Sequence, residues 1–207
     1  METEGFLFDG PDSSPVTLVL AHGAGAPMDS PFLNRVATGV AAEGFRVARF
    51  EFPYMRARRG GGKAGAPDRA PVLVKSWLDA IERLGGGANL AIGGKSLGGR
   101  IASMVAAEAR VRGLVCLGYP FHPPGRPERL RTGHLESLET RALFVQGTRD
   151  PFGGREEVES YRLSPKVEIH WIPDGDHSWK PRASSGRTGA QNLSEGIDAA
   201  VRFLKTL

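Results

Sequence analysis

The stretch NLAIGGKSLGGR, residues 89–100, decides how the chain is read, because its Gly-Gly-Lys-Ser core suits two unrelated chemistries. One is the end of a phosphate-binding P-loop. The other is a serine carried on a sharp strand-to-helix turn. A P-loop requires G-x-x-x-x-G-K-[ST], with a glycine-rich loop long enough to wrap the phosphates. Counting back from Gly94 and Lys95, the first glycine of that pattern falls on Asn89, and the residues between read as a strand rather than a loop. The other spacing is met: Gly94-Lys95-Ser96-Leu97-Gly98 is G-x-S-x-G, with a strand before it and a helical pattern after it. Such a turn needs small residues on either side of the serine to clear the neighbouring strand and helix, and Gly94, Gly98 and Gly99 supply them. A glycine-rich turn with an incidental serine looks the same locally. The partners of Ser96 therefore carry the decision.

Outward from this turn, apolar strand-like runs alternate with helical patterns. Residues 16–23, VTLVLAHG, are the near-continuous apolar run of a strand buried on both faces. Residues 30–44 read as a helix, with Ser30 as N-cap, Pro31 in the first turn and Gly44 as the stop. Strands are expected over 45–52, 90–93, 113–120, 141–147 and 166–173, with helices over 72–84 and after Leu97. A closing helix over 192–204 has Asn192 and Glu195 spaced as a capping box. With no Pro/Ser-rich linker, this order predicts one domain over residues 1–207. Its class is α/β, a three-layer α/β/α sandwich on a mostly parallel sheet. In such sheets, ligands gather at the carboxyl ends of the strands.

A serine hydroxyl is a weak nucleophile until a base removes its proton, and on this scaffold the partners follow in the order acid, then histidine. Asp150, in FVQGTRDPFG, lies just beyond a strand, although an aspartate before Pro151 is also ordinary turn composition. His177, in IPDGDHSWK, sits in the loop after the last strand, where a surface histidine would be equally ordinary. Both together, in order and each at a strand's carboxyl end, point to a Ser96–His177–Asp150 triad. Asp174 and Asp176 flank His177, but near neighbours in a loop seldom present a carboxylate to that same ring, which favours Asp150. In LVLAHGAGAP, His22-Gly23-Ala24-Gly25 has the H-G-x-G form of an oxyanion loop. The backbone N–H groups of Ala24 and Leu97 are the expected donors. His22 reads as structural, His122 as a pocket wall, His134 as part of a short helix and His170 as strand packing. Cys116, mid-strand, reads as an inert buried thiol.

Composition excludes more than it assigns. A net charge of +4 over 207 residues falls short of a nucleic-acid signature. The basic run RARRGGGKAGAPDR, residues 56–69, lacks the interleaved aromatics that stack bases and reads as a solvated, mobile loop. A single cysteine excludes an intramolecular disulfide. The first residues show no basic flank followed by an apolar run, and no stretch reaches the length of a membrane-spanning helix, so a cytoplasmic location is expected.

Taken with the motifs AHGAGAPMDSPF, GGKSLGGR, YPFHPPGRPERLR, QGTRDPFG and DGDHSW, the chain resembles the α/β-hydrolases from about residue 16 onward. It is similar to small bacterial hydrolases of the dienelactone-hydrolase-like group. These are related to the hydrolase-like domain of a subunit of the NSL chromatin complex and to a testis-expressed homologue. True dienelactone hydrolases carry cysteine at the elbow, where this chain has Ser96. The resemblance implies a serine hydrolase acting on carboxylic esters or related acyl compounds. The partner it calls for is a small-molecule acyl substrate, with no nucleic acid, membrane, metal or organic cofactor, and oligomeric state is left open. Acyl transfer or peptide cleavage would use the same triad, and a silent binding scaffold would use the same fold. The chain is too short for a lid domain, so an open site is expected. Its walls are expected from the 28–31, 54–58 and 119–124 segments, with Met28, Tyr54, Tyr119 and His122 lining the pocket.

Overall fold

The structure is a computed structural model that describes residues 4–61 and 65–207. In chain order the elements are β1 (Phe6–Asp9), β2 (Thr17–Ala21), α1 (Pro31–Ala42), β3 (Arg46–Phe50), α2 (Pro53–Arg59), α3 (Ala70–Arg83) and β4 (Leu90–Lys95). There follow α4 (Leu97–Val105), β5 (Gly113–Leu117), β6 (Ala142–Gly147), α5 (Arg155–Val158), β7 (Val167–Ile172) and α6 (Gly189–Leu204). The seven strands make one sheet in the order β1-β3-β2-β4-β5-β6-β7. Only β1 runs antiparallel, registering Phe6 against Phe50 of β3. Every other pairing is parallel.

Alternation along β5 shows how the layers form. Leu114 and Cys116 face the core under α3 and α4, where Trp77, Ile92, Ile101 and Phe144 gather. Val115 and Leu117 face the opposite core, under α1 and α6, with Leu20, Leu33, Val40 and Phe203. Successive strand side chains point to opposite faces, so a strand covered on both sides must be apolar throughout. That is why GLVCL carries no polar residue. Each large side chain sealed this way stabilises the fold by roughly 1.5–3 kcal/mol. Among the described residues no helix is long and apolar enough to cross a membrane.

Four local readings need correction. The strand β1 was not anticipated, since four residues at a sheet edge carry little pattern. The 56–69 run is not loop throughout: α2 begins with Pro53 at its first turn and continues to Arg59, while residues 62–64 lie outside the described set. Arg59 anchors that helix by bonding Asp29 at 2.8 Å and the buried carboxylate of Glu51 at 2.7 Å. Helix α6 starts three residues before Asn192, and its capping box is Thr188 with Gln191. Asn192 is sealed inside the helix's packed face instead, with no exposed surface. The strand expected over 113–120 stops at Leu117, because Gly118 turns the chain with φ 67°.

Candidate active site

The turn after β4 is as tight as its glycines imply. Ser96 holds φ 50° and ψ −110°, a conformation side chains seldom adopt, and it N-caps α4. At Gly94 (φ +145°) an added Cβ would lie 2.1 Å from the carbonyl oxygen of Ala21 on β2. At Gly98 it would lie 2.3 Å from the same oxygen. β2 and α4 therefore approach too closely for any side chain, and the serine is pushed out at the carboxyl edge of the sheet. Among the described residues, four non-glycine residues have positive φ, and three of them lie at this elbow or in the loop that carries His177: Ser96, Asp174 and Trp179.

His177 Nε2 lies 2.9 Å from Ser96 Oγ, and its Nδ1 lies 2.8 Å from Asp150 Oδ2. An ionised carboxylate only accepts, so the proton on the ring belongs to Nδ1, and Nε2 presents its lone pair to the serine hydroxyl. The Asp150 side chain is fully buried. It is supplied with two further donors, the Phe152 backbone N–H at 2.9 Å and Gln146 Nε2 at 3.0 Å. The Phe152 ring lies against the imidazole with centroids 4.2 Å apart. Neither flanking carboxylate competes for the ring: Asp176 accepts from the backbone N–H groups of Ser178 and Lys180, and Asp174 pairs with Arg182.

The loop carrying His177 is pinned from two sides. Asn192 donates to the carbonyls of Trp179 at 2.8 Å and Pro173 at 3.1 Å, and accepts from Arg187 Nε at 2.6 Å. From the elbow, Lys95 Nζ donates to the His177 carbonyl at 2.5 Å, with its ammonium 5.7 Å from the centre of the Phe32 ring. Burial lowers the pKa of Lys95 to about 8.

The loop after β2 is braced from behind. The Phe52 backbone N–H donates to His22 Nε2 at 3.1 Å, which leaves the proton on Nδ1 to be donated to the Gly23 carbonyl at 2.7 Å. Burial also lowers the pKa of His22, so the ring stays neutral in this structural role. The Tyr54 hydroxyl donates to the Gly23 and Ala24 carbonyls at 3.3 and 3.2 Å. With the Gly23 carbonyl turned back toward His22 and Tyr54, the N–H of Ala24 points the other way across its trans peptide. The Leu97 N–H opens α4 and has no helical acceptor. Neither N–H donates to any group among the described residues.

A cavity of about 460 Å³ opens in front of Ser96. Residues 23–26 and 30–33 form one side, Phe152, His177 and Ser178 the other, and Lys95 and Ser96 the base. Among the described residues no separate layer folds over it. The four side chains expected in its wall lie elsewhere. Tyr54 braces the loop from behind, and Met28 is engaged through its backbone with Glu51 and Arg49. Tyr119 stacks on Phe144 in the core, with its hydroxyl on the Arg131 carbonyl. His122 is sealed beside Glu157, its Nδ1 on the Pro123 carbonyl. Sequence reasoning missed Lys95, Phe32, Phe152 and Gln146 as neighbours of the site. For Phe152 the signal was present, two residues beyond the acid in a motif already singled out.

Comparison with known proteins agrees with this architecture. An α/β serine hydrolase homologue from Coxiella burnetii superposes with a TM-score of 0.70 at 22% identity, over 96% of this chain and 90% of that one. A dienelactone hydrolase from Anabaena variabilis gives 0.72 at 19% identity, over 97% and 90%. An α/β serine hydrolase without a lid, from Xanthomonas campestris, gives 0.65 at 19% identity, over 96% and 88%. At these identities the likeness is one of fold. Residues 14–205 match the family described as Alpha/beta hydrolase domain, and the chain belongs to that family.

Proposed function

We propose that the protein is a serine hydrolase that cleaves carboxylic esters or related acyl compounds. The observation that carries this reading is the unbroken line from Asp150 through His177 to Ser96, with contacts of 2.8 and 2.9 Å, facing a cavity with a mainly apolar lining. Ser96 Oγ attacks the acyl carbonyl while His177 Nε2 takes its proton. Asp150 holds the ring in the required tautomer and stabilises the imidazolium that forms. The carbonyl oxygen gains the negative charge, for which the N–H groups of Ala24 and Leu97 are the donors. Collapse expels the leaving group with the proton from His177. Water, activated by the same ring, then releases the acid and restores Ser96. No step in this scheme calls for a metal, an organic cofactor, nucleic acid or a membrane. A small acyl substrate met in the cytoplasm is part of the same proposal, as is kinship to the dienelactone-hydrolase-like group and the NSL-complex subunit.

The test is intact-mass analysis after exposure to a broad fluorophosphonate. One adduct is expected on the wild type and none on Ser96→Ala. His177→Gln should label at least about a hundredfold more slowly, because the serine loses its base. A folded wild type that stays unmodified refutes the proposal.

A further inference from the structure

One turn into α4, Arg100 leaves the elbow on the side away from the triad cavity. It borders a second cavity of about 500 Å³, together with Pro123, Glu128, Arg129, Leu130 and Arg131. The walls come from two elements apart in sequence, helix α4 and the 123–131 segment that follows β5. Three guanidiniums therefore converge on one space with a single carboxylate among them. Other arginines of the fold meet a carboxylate: Arg49 with Asp9, Arg59 with Asp29 and Glu51, Arg182 with Asp174. Here, among the described residues, no side-chain nitrogen of Arg100, Arg129 or Arg131 donates to a carboxylate or a carbonyl. The Nε of Arg100 is sealed from solvent with no hydrogen-bond partner among the described residues.

The crowding has an electrostatic cost. Burial, and then the charge of Arg100, holds the pKa of Arg131 below the ordinary guanidinium value, and the same two causes lower that of His134 nearby. Uncompensated like charges at a cavity destabilise a fold unless a counter-charge arrives from outside. Guanidinium forks match the oxygens of phosphates and carboxylates. Three arginines against one glutamate leave a surplus of two positive charges, which favours a dianion over a single carboxylate. The apolar part of the wall is Pro123 and Leu130, with no aromatic face on which a base could stack.

We propose that this cavity binds the phosphoryl group of a small molecule, held by Arg100, Arg129 and Arg131. The site is separate from the Ser96 cavity, shares no lining residue with it, and does not rest on the hydrolase reading.

The probe is inorganic pyrophosphate, titrated calorimetrically into the full chain at constant ionic strength, with citrate and a phosphoserine peptide as competing arms. Saturable one-to-one binding is expected in the wild type. It should weaken at least about tenfold in Arg100→Gln and in Arg131→Gln, as expected when a charge-assisted pair is lost. Glu128→Gln, at an exposed position, should tighten binding, so that arm survives any folding defect in the arginine variants. Three results would overturn the proposal: no saturable binding at constant ionic strength, equal affinity in Arg100→Gln and wild type, or citrate binding as tightly as pyrophosphate. Preference for the phosphoserine peptide would overturn the small-molecule assignment.

Discussion

Asn192→Ala tests how firmly His177, the base of the proposed triad, is held. The residue is fully buried in α6, and its amide donates to the carbonyls of Trp179 and Pro173, on either side of His177. Alanine removes both donors and the acceptor used by Arg187. Two neutral hydrogen bonds contribute about 1 kcal/mol each, and leaving the buried Trp179 carbonyl unsatisfied adds about 1–3 kcal/mol, partly offset by water entering the space. A net loss of about 3 kcal/mol corresponds to a fall of roughly 6–12 °C in the melting temperature of a chain this long. The loop then loses its fixed height over the elbow, and a base misplaced by about 1 Å costs on the order of a hundredfold in rate. The assay pairs thermal unfolding, followed by circular dichroism, with the second-order rate of fluorophosphonate labelling. Asn192→Asp separates packing from hydrogen bonding: it keeps the shape and the acceptor for Arg187 but faces two carbonyls with oxygens. It should be as damaging as alanine. A melting shift below about 2 °C with an unchanged labelling rate would refute the view that this amide positions His177.

The other perturbations act closer to the serine. Gly98→Ala puts a Cβ 2.3 Å from the Ala21 oxygen and 2.9 Å from that of His22, both backbone. It should cost about 1–3 kcal/mol by overpacking and displace the elbow enough to slow labelling, whereas Gly25→Ala, with nothing within 4 Å, should leave stability unchanged. Lys95 titrates at about 8 in the folded protein against 10.5 when free, so between those values the unfolded chain binds more protons and stability rises with pH. Denaturant unfolding of wild type and Lys95→Met, compared at about pH 7.5 and about pH 9.5, should show the difference moving in favour of the wild type at the higher pH. Parallel pH dependence in the two proteins would show that Lys95 is not desolvated at this site.

The Ser96–His177–Asp150 contacts and the layer order were legible because they depend on position along the chain. Ser96 and Asp150 each follow a strand that opens on a run of apolar residues, His177 follows the alternating VEIHWI, and the carboxyl ends of parallel strands lie along one edge. What was not legible depends on direction. That the 119–124 segment runs near the site follows from its place after β5, but not that Tyr119 turns inward onto Phe144 and leaves the wall to Phe152. Asn192 shows the same limit. Its spacing to Glu195 imitates a capping box, while the real one, Thr188 with Gln191, has the same signature four residues earlier. Local spacing could not choose between them. The burial of Asn192 under Trp179 could, and that is a tertiary fact. In α2 the basic run hid a helix, because the carboxylates that hold Arg59, those of Asp29 and Glu51, lie outside it.

Ser96 and His177 are 81 residues apart in the chain yet share a hydrogen bond. The elbow is complete once β4 lies between β2 and β5, but the imidazole arrives only with β7, the outermost strand on its side. Distant pairings of this kind are slow to form, and edges are among the first parts of a sheet to open. On the proposed mechanism, reactivity at Ser96 thus belongs to the finished sheet and to none of its pieces. A nascent chain that has made only the elbow already displays Ser96, yet on that mechanism it stays chemically quiet until the last strand seats.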